Sequence, residues 1–407
     1  MIRFTAFFAL ALALVGATGA PGLAQPSTTA AASLFARPVI SARFLLQCPN
    51  QIVQAFPTSG TAQTTWRICW HEVAGNNSLA NPNGLAIGPV DFQTTPNGPW
   101  RRIIYDMRIS DFFVPYHPGS PRYYDLSAFN FTLEDIPASG CPASAGGTLV
   151  SPRVCKEVRD RGLMWMSGPK NTSTAMRGQE LVLWGVIYAA NYKYVERFTF
   201  RDDGTILGEE GATGQNLPGS ELIPHVHNAL WRIDMDLFDL INDAMHMFHT
   251  EPITGPSATD SMPAIPTATG LKYNVRTHDA VMVANTGYQN AQHHHPSYIL
   301  MPSLLGGGLT QHQEPFTQND FWVTPYNPAQ MAASQLPAYV AGNPSVTHTD
   351  LVLWYKGSLH HHPRDEDGAY KNGGNGPWHG TALAMFAGFM LMPYDVFDCT
   401  PFFGPCP

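Results

Sequence analysis

The chain is poor in charge. Asp, Glu, Lys and Arg make up 13% of its 407 residues, and the formal net charge is −8. It has no run of Lys or Arg, which excludes nucleic acid or an anionic membrane surface as the main partner. After the amino terminus no apolar stretch is long enough to cross a bilayer, so no membrane partner is expected. Few windows carry a helical period; the best of them, Asp236 to Phe248, is ambiguous. Internal repeats are absent, which excludes a solenoid or propeller built on a sequence period.

What the chain does have begins at its amino terminus. Met1-Ile2-Arg3 leads into an apolar run from Phe4 to Val15, then a small, Pro/Gly-rich stretch. That pattern predicts a secretory signal peptide over residues 1–24, with cleavage after Ala20 or Ala24. A Pro/Ala/Thr linker over 25–44 follows, and a single domain over 45–407. The expected location is secreted, extracellular or, in a bacterium, periplasmic. Six cysteines are an even number in an exported chain, which favours disulfides over thiol chemistry. Local spacing suggests Cys48–Cys69, Cys141–Cys155 and Cys399–Cys406, although spacing does not fix connectivity.

Strand signals dominate the rest. Leu181–Tyr188, Tyr194–Phe200, Arg102–Met107 and Leu351–Tyr355 are rich in β-branched and aromatic residues. Asp202-Asp203-Gly204 is a turn signal directly after the second of these. With 36 Gly and 35 Pro punctuating the chain, the predicted fold is all-β: one large antiparallel β-sandwich with long loops.

Two histidines, His225 and His227, stand at i and i+2 of a strand-like segment and would face the same side. A third is available in His360-His361-His362, just before Pro363. Three imidazoles make a metal site suited to copper, zinc, iron or nickel. Asn191-Tyr192 precedes a strand and the turn Asp203-Gly204-Thr205-Ile206. Further segments are Val114-Pro115-Tyr116, the downstream Arg232-Ile233-Asp234-Met235-Asp236, and Asp350 through Glu366-Asp367.

In this order, these segments resemble the catalytic domain of the copper-containing, topaquinone-dependent amine oxidases, over roughly residues 45 to 398. The resemblance implies that His225, His227 and His361 bind copper(II), His361 being the histidine two residues before the proline. Tyr192, preceded by Asn191, would be the residue oxidised to topaquinone, and Tyr116 would hydrogen-bond the quinone oxygen. Asp234, Asp236 and Asp350, with the backbone of Met235 and Leu351, would form a calcium-type site. The implied activity is oxidation of a primary amine by dioxygen through a Schiff base to topaquinone, giving aldehyde, ammonia and hydrogen peroxide. A homodimer without the family's small N-terminal domains is also implied.

The chain departs from the family in four places. The family's catalytic aspartate stands fourteen residues after the tyrosine of Val-Pro-Tyr; here that position is Asn130. An amide accepts no proton at neutral pH, and losing a positioned base costs about 10²–10⁴-fold in rate. Glu134 or Asp135 would be the substitutes on a shifted loop. Tyr188 replaces a family threonine shortly before the quinone precursor, and Lys193 replaces the acid just after it. Near Cys155, Lys156-Glu157-Val158 lacks the family's histidine. Two rival readings follow: a copper-binding homologue with lost or impaired amine oxidase activity, and a plain secreted β-sandwich binding module with incidental histidines.

Overall fold

A computed structural model describes residues 48–58, 63–73, 82–116, 122–129, 131–170, 174–250, 260–304, 313–367, 381–400 and 402. The expected signal peptide and linker lie outside the described residues, as do Asn130 and Cys406. No helix among the described residues is long and apolar enough to cross a membrane.

Two antiparallel sheets form the fold, as the strand signals predict. The first has nine strands. Its backbone order runs Asn50–Phe56, Thr64–Val73, Gly84–Gln93, Arg101–Pro115, His225–Met235, Leu351–His361, Phe321–Pro325 and Thr269–Leu271. Twelve strands make up the second. There Tyr192–Arg201 lies between Thr174–Ala189 and Ile206–Gln215, and Thr381–Tyr394 pairs with the latter.

Inward-facing aromatic side chains join the sheets. Trp66 of the first sheet, packed on Phe92 beside it at 4.2 Å, meets Phe200 of the second at 5.4 Å between ring centroids. Phe112 stacks on Tyr194 at 4.1 Å. Trp231 and Tyr355, neighbours across the first sheet, both pack on Phe389. Each is fully buried, and each such ring adds about 0.5–1.5 kcal/mol beyond its area when paired edge-on or offset.

The four predicted strand segments all fall inside strands, and Gly204 turns at φ +87° as its turn signal requires. The helical window is a correction. Asp243–Thr250 is a strand paired with Ala280–Asn285, and Met245 and Met247 point inward two residues apart. Pairing with a buried neighbour overrode a weak helical period, which local propensity cannot oppose. Cys48–Cys69 and Cys141–Cys155 are bonded as spacing suggested.

Candidate metal and quinone site

Positions along one ladder bring the histidines together. His225–Met235 and Leu351–His361 pair antiparallel with His225 opposite His361. The i, i+2 pair His225 and His227 projects on the inner face, and the partner strand delivers its last residue beside them. One nitrogen from each ring lies within 4.8 Å of the others, and all three side chains are buried.

Outer partners fix which nitrogen faces the shared point. His225 Nδ1 donates to the Ile223 carbonyl at 2.8 Å, which leaves Nε2 as the acceptor. His227 Nδ1 lies 3.2 Å from the Tyr194 hydroxyl, and its Nε2 is 3.0 Å from His225 Nε2. His361 presents the other nitrogen: its Nε2 faces Asp367 Oδ2 at 3.3 Å, so Nδ1 turns inward. Burial lowers the pKa of His225 to about 4 and pushes that of His227 well down. Neutral imidazole is the form that binds a metal. The donor set therefore fits a copper-class ion held by Nε2, Nε2 and Nδ1, with each ligand oriented from behind.

Tyr192 enters this focus from the second sheet. Its hydroxyl lies 3.1 Å from His225 Nε2 and 3.0 Å from His361 Nδ1, and donates to Asn216 Oδ1 at 3.3 Å. A tight hairpin sets its position: Tyr192 pairs with Ala189 across Ala190 and Asn191. Ala190 adopts φ +55°, a left-handed conformation that costs an L-residue about 1–2 kcal/mol. Asn191 clamps the turn, its side chain donating to the Gln215 carbonyl and its own carbonyl accepting from the Gln215 amide. Gly214, opposite Tyr192, turns at φ +101°; a Cβ there would stand 2.8 Å from the Asn191 carbonyl oxygen. Tyr116 hydrogen-bonds Tyr192 and stacks on His225 with centroids 4.2 Å apart.

Beside Tyr192 lies a cavity of about 230 Å³, walled by Tyr116, Asp125, Phe129, Phe131, Asn191 and Tyr194 among others. A small ligand in this space would meet the Tyr192 ring.

Residues 218–403 match the family model of the copper amine oxidase enzyme domain. Over that stretch the chain is similar to the copper amine oxidases. It is 23% identical over 386 residues to primary amine oxidase 2 of Arabidopsis thaliana, covering 78% of this chain and 55% of that protein. With the primary amine oxidase of Arthrobacter sp. (strain P1) it is 23% identical over 416 residues, covering 87% and 62%. It thus spans little more than half the length of these curated relatives. Among solved structures, the copper-containing benzylamine oxidase of Hansenula polymorpha superposes with TM-score 0.62 at 17% identity, covering 83% of this chain and 60% of that one. The lysyl oxidase of Pichia pastoris gives 0.65 at 15%, covering 84% and 53%. At such identities these structures support the sandwich fold.

The other expected site residues divide. Asp234, Asp236 and Asp350 do converge, each with a carboxylate oxygen within 4.8 Å of the others. Asp243 joins them from the second sheet; burial, then Asp236, Asp239 and Asp234, push its pKa well up. Sequence reading missed it because it sat in the supposed helix. The two suggested substitutes for Asn130 do not reach Tyr192. Glu134 is tied to Lys193, and Asp135 is exposed on Arg153 at 3.2 Å. Neither lines the cavity. Lys193 sits over the Tyr188 ring at 4.2 Å, so the two departures flanking the tyrosine pair with each other. His360 and His362 stack on one another, while His293 and His294 are exposed. Asp367, Tyr194 and Asp125 have no site role in the motif pattern, although the first behaves as the orienting partner of His361.

Proposed function

We propose that this chain is a copper- and quinone-dependent primary amine oxidase, with His225, His227 and His361 as the copper ligands and Tyr192 as the topaquinone precursor. One observation carries the reading: three inward-facing ring nitrogens and the Tyr192 phenol oxygen converge on one buried point. Topaquinone supplies an electrophilic carbonyl and a two-electron sink for amine oxidation. Tyr116 orients the Tyr192 ring through its hydrogen bond, and Asn191 holds the turn that aims that ring into the cavity. Phe129 and Phe131, stacked 5.3 Å apart on the cavity wall, give it an apolar side that favours an apolar amine. The acidic group at Asp234, Asp236 and Asp350, with the Met235 and Leu351 backbone, is the proposed calcium site. Export is proposed as well, in keeping with two disulfides that persist in oxidising compartments. Resemblance to the family also leads us to propose a homodimer.

A copper-binding homologue without turnover is the second reading, favoured by Asn130 at the family's base position. Phenylhydrazine titration of copper-loaded protein, followed by absorbance and peptide mapping, tests the first. A coloured adduct on the Tyr192 peptide is expected. Bound copper with no adduct would leave only the second reading standing.

A further inference from the structure

Asp125 is the one carboxylate among the described residues that line the cavity beside Tyr192. It is buried, and it sits nine residues after Tyr116, five before the family's position. Its turn is anchored to the first sheet. The Asp125 amide donates to the Phe112 carbonyl at 2.9 Å. Asp111 accepts from the Leu126 amide at 3.0 Å and from the Ser127 hydroxyl. Asp125 Oδ2 accepts from the Tyr194 hydroxyl at 2.6 Å. Oδ1 accepts no hydrogen bond from the described residues.

We propose that Asp125 is the relocated catalytic base of this chain, taking the α-proton of the amine in place of the family aspartate lost at Asn130. This rests on the quinone reading above. The amine's α-C–H bond breaks, the proton passes to Asp125 Oδ1, and the electron pair goes to the quinone. Dioxygen then takes up both electrons with two protons as hydrogen peroxide, and water carries the substrate to aldehyde and ammonia. Tyr194 stacks parallel to Tyr192 with centroids 6.2 Å apart, so its hydroxyl holds the Asp125 carboxylate alongside the reacting ring.

The environment suits the task. Burial raises the Asp125 carboxyl to about 7; the Tyr194 hydrogen bond lowers it and the nearby Asp111 charge raises it further. Asp111 itself is raised to about 6 by burial. The other titratable groups facing Asp125 are the phenols of Tyr116 and Tyr194, both raised by burial and un-ionised in this range. A base poised near neutral pH transfers protons best.

The test compares wild type with Asp125→Asn in full-length, copper-loaded protein, using benzylamine and its α-deuterated form. Asn keeps an acceptor for Tyr194. Phenylhydrazine adduct yield should be unchanged, while benzylamine reduction slows about 10²–10⁴-fold. In metal-free protein, infrared difference titration should show a carboxyl band with a midpoint near 7 that Asp125→Asn removes. If Asp125→Asn does not fold, Asp125→Glu should keep the adduct and show a larger deuterium effect with slower reduction. Normal adduct with unimpaired reduction in either variant would overturn the proposal while leaving the quinone reading intact. An infrared spectrum that Asp125→Asn leaves unchanged near neutral pH would overturn it too. No adduct in wild type would sink both together.

Discussion

The two ends of a single ladder carry opposite chemistries. Strands His225–Met235 and Leu351–His361 pair over their full length, with His225 beside His361 at one end and Met235 beside Leu351 at the other. Nine residues separate His225 from Asp234, which is about 30 Å of extended chain. At the nitrogen end, burial keeps the imidazoles neutral, the form able to bind a metal. At the oxygen end, burial crowds carboxylates, and Asp243 resists ionising beside Asp236, Asp239 and Asp234. The same desolvation prepares a neutral donor set in one place and favours the protonated form of a carboxyl in the other. Between them the core is closed: Glu210 accepts from Trp231 Nε1 at 2.8 Å and packs where a Cβ on Gly357 would fall 1.7 Å from its Oε1.

Removing the nitrogen end should have the largest effect. His227→Ala is expected to abolish copper-dependent formation of the phenylhydrazine-reactive cofactor, measured as adduct absorbance. It should leave any calcium-induced rise in melting temperature in place. Loss of both together would mean that the ends are not independent.

A smaller change tests orientation from behind. Asp367→Asn removes the carboxylate facing His361 Nε2. Copper affinity should fall about 10–100-fold, the range for outer partners of a ligating histidine, read by competition with a chelating dye. Wild-type affinity in that variant would show that the third ligand needs no such partner.

At the oxygen end, calcium at a hundredfold over its Kd should stabilise the protein by about 2.7 kcal/mol. Asp236→Asn should abolish that thermal shift without lowering copper content. A variant that still shifts with calcium would remove the acidic cluster as the site.

The smallest effect is expected from the middle of the ladder. Burial raises Glu210, packed against Trp231 and Gly357 of that ladder, to about 8 in the folded state, against an ordinary 4.5, and does the same for Glu196 against Leu85 of a neighbouring strand. A raised carboxyl contributes stability that is complete below its unfolded pKa and lost as pH rises through the folded value. The melting temperature should therefore be lower at pH 9 than at pH 6. Glu210→Gln should flatten that slope in part; an unchanged slope would mean that the carboxyl is already ionised at neutral pH.

Residue types and their order were enough to find most of the metal end. His225 and His227 share a strand face because side chains alternate with period two, and that rule needs no tertiary knowledge. Richness in β-branched and aromatic residues made four strands legible, and the spacing of cysteines anticipated both observed disulfides. The window around Asp243 was ambiguous in sequence because a short amphipathic run satisfies both periods until a partner strand decides between them.

Only the tertiary structure brought in the groups that orient or oppose those residues. Asp367 meets His361 because the chain turns back after Pro363, Tyr194 meets His227 across two sheets, and Asp125 joins Tyr192 from a turn held by Asp111. None of these contacts repeats at a fixed sequence spacing. Local sequence sets which face a side chain takes. Which carboxyl stands behind a histidine or beside a tyrosine depends on how the sheets stack and what they desolvate, and those are properties of the whole fold.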